Sequence, residues 1–349
     1  MADYSDVVQW LLEEDTPHVR YNTLRHVLQR PPEDPEVIEA RRHMMESPPV
    51  SKILAKQKPD GGFLQDSFVK RRGYESARVG YSPKHRATTW QAVFLAHAGV
   101  PGEDPRVQSL GKYILENSFS EGLGAFGWTE EQKTGSRLER IPCFIGNMVQ
   151  ALCSFGFGDD HRVRRSFEFL ARHQRFDDGG YKPEKEWPHF GRTDRCWGGH
   201  TCYWGVTRFL GAMTMVPDSY WTKEALEAKE KCVGFVLLHR IMWSSRRPSR
   251  PMIPGRNDPR ILRAPLSYQD DVIEIASNLL RLGVENPAID ETIEYVLSKR
   301  NERGRWNLEV TPNNMYTTWG SPGEENKWVT FRVMRLLALA GRLDGLKGL

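Results

Sequence analysis

What the chain lacks narrows it first. No apolar run approaches the roughly 18 residues that would span a bilayer, and the opening "MADYSDVVQW" has no basic segment leading into a hydrophobic core. A cytosolic protein is therefore expected. Cysteine is scarce: five in 349 residues, an odd number at uneven spacing, which disfavours a disulfide framework and leaves thiols free for burial, metal binding or catalysis. Net charge is small as well. Lys and Arg number 49 against 45 Asp and Glu, a balance of +4, so neither a dedicated nucleic-acid coat nor an acidic tail is expected. The cations are nonetheless unevenly placed, with Arg246, Arg247, Arg250, Arg256, Arg260 and Arg263 in one Pro-rich stretch and Lys70, Arg71 and Arg72 in another.

What the chain does have is a repeat. "DPEV" at Asp34 returns as "DPRV" at Asp104, "DHRV" at Asp160 and "NPAI" at Asn286, at spacings of 70, 56 and 126 residues, the last being twice 63. Before each copy an apolar segment ends in Gly; after it runs an amphipathic segment and, in most repeats, a Gly-rich loop. Asp or Asn as N-cap, Pro in the first turn and Gly past the preceding helix are start and stop signals, so each unit reads as a helical hairpin. The first helix of each pair is apolar or small on nearly all sides, as in Ala92, Val93, Leu95 and Ala96 or Val149, Ala151 and Leu152, which suits burial. The second is half-buried, with Val163, Phe167 and Leu170 on one side and Arg164, Arg165 and Arg172 on the other.

Inner helices are expected to begin near residues 18, 86, 143, 200, 271 and 327, with the fourth outer helix over residues 221–238, where the Asp-Pro signal is missing. Six hairpins that each bury a face against the next can close on themselves. The expected fold is thus all-α, an α/α toroid of six hairpins forming one domain over residues 1–349, with an open α-solenoid as the competing arrangement. Long segments at 64–84, 242–266 and 307–326 precede the second, fifth and sixth inner helices and read as lids or binding elements. The basic ones suit a diphosphate, an RNA backbone or an acidic protein surface, and equally a plain solvated face.

The loops "KQKPDGGF" (56–63), "HQRFDDGGY" (173–181) and, more weakly, "RNERGRW" (300–306) resemble the Q-x-x-x-G-x-(W/F) repeats of the superfamily of squalene cyclases, class II terpene cyclases and protein prenyltransferase β-subunits. The resemblance covers most of the chain and implies a cavity lined by aromatics at the N-terminal ends of the inner helices. It implies a small apolar or isoprenoid ligand. Trp90, Trp197, Tyr203, Trp204, Tyr268, Tyr316, Trp319 and Trp328 all fall at or just before those ends.

Two clusters carry candidate chemistry. "SYQDDVIEI" (267–275) resembles part of the D-x-D-D motif of class II cyclases, with Asp270 matching the acid, Asp271 its neighbour and Tyr268 standing in place of the first Asp. Protonation of an alkene or epoxide needs a carboxyl kept neutral by burial and a nearby carboxylate; the plainer possibility is that one of the pair caps a helix. "CWGGHTCYWG" (196–205) opens the fourth inner helix, and in a toroid "PCFIGN" at the third should lie beside it. Cys143, Cys196, His200 and Cys202 then form a possible tetrahedral zinc site, with packing thiols as the alternative. The prenyltransferase resemblance offers another ligand: Asp194 and Cys196 match that family's Asp-x-Cys, while its distant His has no counterpart.

Overall fold

The computed structural model describes residues 4–64, 79–132, 135–139, 141–178, 196 and 201–343. It is mostly helical. In chain order the helices are α1 (Ser5–Leu11), α2 (Pro17–His26), α3 (Pro35–Glu46), α4 (Val50–Leu54), α5 (Thr88–Ala98), α6 (Pro105–Ser118), α7 (Pro142–Ser154) and α8 (His161–His173). There follow α9 (Tyr203–Met213), α10 (Lys223–Leu238), α11 (Val272–Arg281), α12 (Pro287–Leu297) and α13 (Lys327–Leu339). Three two-stranded antiparallel ribbons complete the described residues: β1 (Phe119–Ser120) with β2 (Ala125–Phe126), β3 (Trp128–Gln132) with β4 (Gly135–Glu139), and β5 (Trp243–Ser244) with β6 (Arg247–Pro251).

The chain falls into two compact units, one of Met1–Ala55, His97–Val100 and Leu237–Leu349, the other of Lys56–Ala96 and Pro101–Val236. The repeat signal is literal at the helix starts. Asp34, Asp104, Asp160 and Asn286 each accept a hydrogen bond from the backbone N–H two residues on, at 2.8, 2.9, 2.9 and 3.0 Å, and so cap α3, α6, α8 and α12. In the repeat without the Asp-Pro signal, the Thr222 hydroxyl accepts from Ala225 N–H at 3.2 Å and α10 begins at Lys223.

The Gly-rich loops are tied to threonines at or near the start of the next inner helix. Thr88 Oγ1 accepts from Phe63 N–H, Thr201 Oγ1 from Asp178 N–H and Thr330 Oγ1 from Trp306 N–H, at 3.1, 3.0 and 3.1 Å. Gln57 explains its place in the first loop by donating to the carbonyls of Gly61 (3.0 Å) and Arg106 (2.9 Å). Gly61 has φ +91°, and a Cβ there would come within 2.4 Å of the Ser109 carbonyl oxygen.

In the second unit α9 is buried along its whole length and packs on α7. Glycines make that approach possible: a Cβ on Gly146 would meet the Arg208 backbone at 2.8 Å, and one on Gly205 would meet Pro142 at 2.8 Å. Residue 142 thus faces 205 and 146 faces 208, so the two helices run parallel with their starts together. In the first unit α13 packs on α1, α2 and α11. Two ion pairs of equal sequence separation, Asp271 with Arg332 and Glu274 with Arg335, set α11 and α13 parallel and in register. Within each unit, therefore, inner-helix N-termini gather at one place.

Candidate functional site

In the first unit that place is built from α2, α11, α13 and the segment before α13. Asp271 is the N-cap of α11, its carboxylate accepting from Glu274 N–H at 3.2 Å and from Arg263 N–H at 3.1 Å. Arg332 grips the same carboxylate with both terminal nitrogens, at 2.8 and 2.5 Å. Both side chains are buried, and Asp271 is thereby fully occupied. Burial alone would weaken the charge on Arg332, but the Asp271 carboxylate more than offsets that and holds the guanidinium protonated. One helical turn on, burial would raise the Glu274 carboxyl; Arg335, Arg332 and Arg281 outweigh it and hold it well below the usual glutamate range. Burial and the neighbouring Arg281 bring Arg335 down to about 10.

Asp270 is 1 % exposed and lies in the field of Arg332. Tyr268, two residues earlier, is half-buried and accepts from Gln269 Nε2 at 3.4 Å. Trp328 stands four residues, about one turn, before Arg332 on α13. Against it lie Trp319, with ring centroids 5.4 Å apart, and His18 of α2, at 5.3 Å; His18 and Trp319 are themselves 5.3 Å apart, edge to face. Burial lowers His18 to about 3, so its ring is neutral. Asp270 and Asp271 thus lie beside Arg332, while Trp319 and Trp328 meet in a ring cluster with His18 at the start of the same helix α13.

The second unit gathers the thiols. Cys143 at the start of α7 accepts a hydrogen bond from Tyr81 Oη at 3.4 Å, and Asn147 Nδ2 donates to the same hydroxyl at 3.2 Å. Burial, reinforced by nearby Cys202, pushes the Cys143 thiol up to about 12. Cys202 moves the other way: the Cys196 thiol donates to it, and the Gly205 and Trp204 amides at the start of α9 add to the effect. The three cysteines are therefore neighbours. His200, Asp194 and Trp197 lie outside the described residues. Among the described residues no group of three His, Cys, Asp or Glu side chains is placed to hold a metal ion.

Among the described residues, three further predicted aromatics of this unit, Trp90, Tyr203 and Trp204, are packed and paired. Trp90 is buried, stacks on Tyr81 at 4.4 Å and donates through Nε1 to the Tyr81 carbonyl at 3.0 Å. Tyr203 and Trp204 are also buried, with centroids 5.7 Å apart. The Arg-rich segment 246–263 divides by role. Arg260 pairs with Asp258 at 2.6 Å over the Trp243 ring, and buried Arg263 donates to the carbonyls of Arg256 and Asp258; Arg247, Arg250 and Arg256 face solvent. No helix among the described residues is long and apolar enough to cross a membrane.

Sequence reasoning passed over His18, Tyr81 and Arg332. A weak signal existed for two of them. His18 occupies the inner-helix start that carries cysteine or tryptophan in other repeats, and Arg332 is a cation inside the apolar run "WVTFRVMRLLAL". A scan of protein-family models and a search of curated proteins find no match to this chain.

Proposed function

We propose that the protein is an enzyme of the isoprenoid cyclase type, acting on an apolar terpenoid substrate on the α/α toroid that six such hairpins would close into. The observation that carries this reading is the buried Asp270–Asp271 pair at the start of α11, with Asp271 locked onto Arg332 one turn from the Trp328–Trp319–His18 rings. Asp270 is the proton donor in this scheme. Its O–H bond breaks as an alkene π pair takes the proton to form a C–H bond, leaving a carbocation on the substrate and a carboxylate on the enzyme. The final deprotonation of the cyclised product restores the acid. Such a step needs a carboxyl that is neutral when substrate is bound. The indole faces stabilise cationic carbon.

The test is product analysis after incubation with linear polyprenes, their epoxides and their diphosphate esters. Cyclised product from the wild type and a loss of about 100-fold or more in Asp270→Asn are expected. Full turnover by Asp270→Asn, or no turnover of any of these compounds, would sink the proposal. A binding module without catalysis is the second reading, favoured by the complete occupation of Asp271 as cap and ion-pair partner. It predicts ligand binding with no product in either protein.

A further inference from the structure

Trp319 sits oddly on its segment. Between Leu308 and Asn326 it is the one buried residue, the others lying at or near the surface. It is held there by Asn326, which caps α13 by accepting from Val329 N–H at 2.9 Å and donates through Nδ2 to the Trp319 carbonyl at 2.7 Å. A residue that merely anchored this segment could be any large apolar side chain. Trp319 instead carries an indole N–H into the protein, and that nitrogen has no hydrogen-bond partner among the described residues. The same is true of His18 Nδ1. Both residues are 6 % exposed. Leaving either atom unmet costs about 1–3 kcal/mol. Both atoms belong to one group of three touching rings.

We infer that His18, Trp319 and Trp328 form a receptor for the hydroxyl end of a neutral, otherwise apolar ligand, an isoprenoid alcohol in the reading above. The Trp319 indole N–H donates to the hydroxyl oxygen, and His18 Nδ1 accepts the hydroxyl proton. Neutral imidazole offers one accepting nitrogen and indole one donor, a pair complementary to a hydroxyl and not to a phosphate ester. For its hydrocarbon chain the inference rests on the isoprenoid reading; for its polar end it rests on the two nitrogens alone.

The experiment measures equilibrium binding of three compounds with one C15 chain, farnesol, farnesene and farnesyl diphosphate, to the full-length protein, followed by tryptophan fluorescence. Farnesol is expected to bind about tenfold more tightly than farnesene, the worth of about one net hydrogen bond, with the diphosphate weakest. Trp319→Phe and His18→Phe keep a ring in place and should each erase most of the alcohol's advantage while leaving farnesene affinity within about twofold. Should either variant fail to fold, the ranking in the wild type decides. Equal binding of alcohol and hydrocarbon, which is what a buried water between the two nitrogens predicts, would overturn the inference, as would tightest binding of the diphosphate or no binding at all. Asp270→Asn separates this from the catalytic reading: the receptor requires the same ranking in that variant whether or not the wild type turns over any substrate.

Discussion

Removing the Asp271 carboxylate should damage the first unit far more than removing the whole ion pair. Asp271 is fully buried and Arg332 nearly so, and two guanidinium nitrogens hold the carboxylate at 2.8 and 2.5 Å. Taking away one partner of a buried pair strands the other charge, at about 3–5 kcal/mol. Asp271 also caps α11, which is worth about 1 kcal/mol. Asp271→Ala should therefore cost about 4–6 kcal/mol, much of the 5–15 kcal/mol that typically holds a domain together. Arg332→Met should cost about 3–5 kcal/mol, since it leaves the carboxylate with its backbone donors only. The double variant has no stranded charge. It should be more stable than Asp271→Ala alone, with a coupling energy of at least about 2 kcal/mol. Urea unfolding of the four proteins, followed by tryptophan emission because Trp328 lies one turn away, closes the cycle. Coupling under about 0.5 kcal/mol, or a cost below about 1 kcal/mol for Asp271→Ala, would show that water reaches this pair and that the burial argument fails.

His18 and Glu274 both contribute to the pH dependence, as does His26, which burial also lowers to about 3. His18 has a folded pKa of about 3 against an ordinary 6.5, so only the unfolded chain takes up its proton between those values. Stability should fall by about 1.4 kcal/mol per pH unit from this residue as pH drops from 6.5 toward 3, and denaturant melts of His18→Phe should lack that component. Glu274 is depressed, so its contribution is present above its ordinary value of 4.5 and is lost as pH falls further; Glu274→Gln should flatten the curve only in that lower range. Gly61→Ala combines a φ of +91° with a 2.4 Å approach to Ser109 and should lower the melting temperature of the second unit by several degrees, whereas alanine at Gly122, where nothing lies within 4 Å, should change it little. Asp160→Ala removes one helix cap and should cost about 1 kcal/mol in urea melts, with Asp160→Asn close to wild type.

Local chemistry was legible in the amino acids alone. A cap is a bond between neighbours in sequence, so Asp34, Asp104, Asp160 and Asn286 announced four outer helices without any knowledge of packing. Apolar periodicity likewise separated the buried α7 and α9 from the half-wet α8. The ribbon of β5 and β6 was not legible, because Pro- and Arg-rich strands lack the alternating pattern that marks a half-buried sheet. The site lay between these extremes. Aromatics and carboxylates at helix starts could be picked out by position, but their partners could not. Arg332 meets Asp271 across 61 residues, Tyr81 meets Cys143 across 62, and His18 meets Trp319 from the opposite end of the chain. Such pairings depend on which helix faces lie side by side, and a side chain's type says nothing about that. Composition and spacing determined a helical repeat with chemically capable residues at its helix starts. Only tertiary packing decided that Asp271 is tied up by a buried arginine while two buried ring nitrogens, on His18 and Trp319, have no hydrogen-bond partner among the described residues.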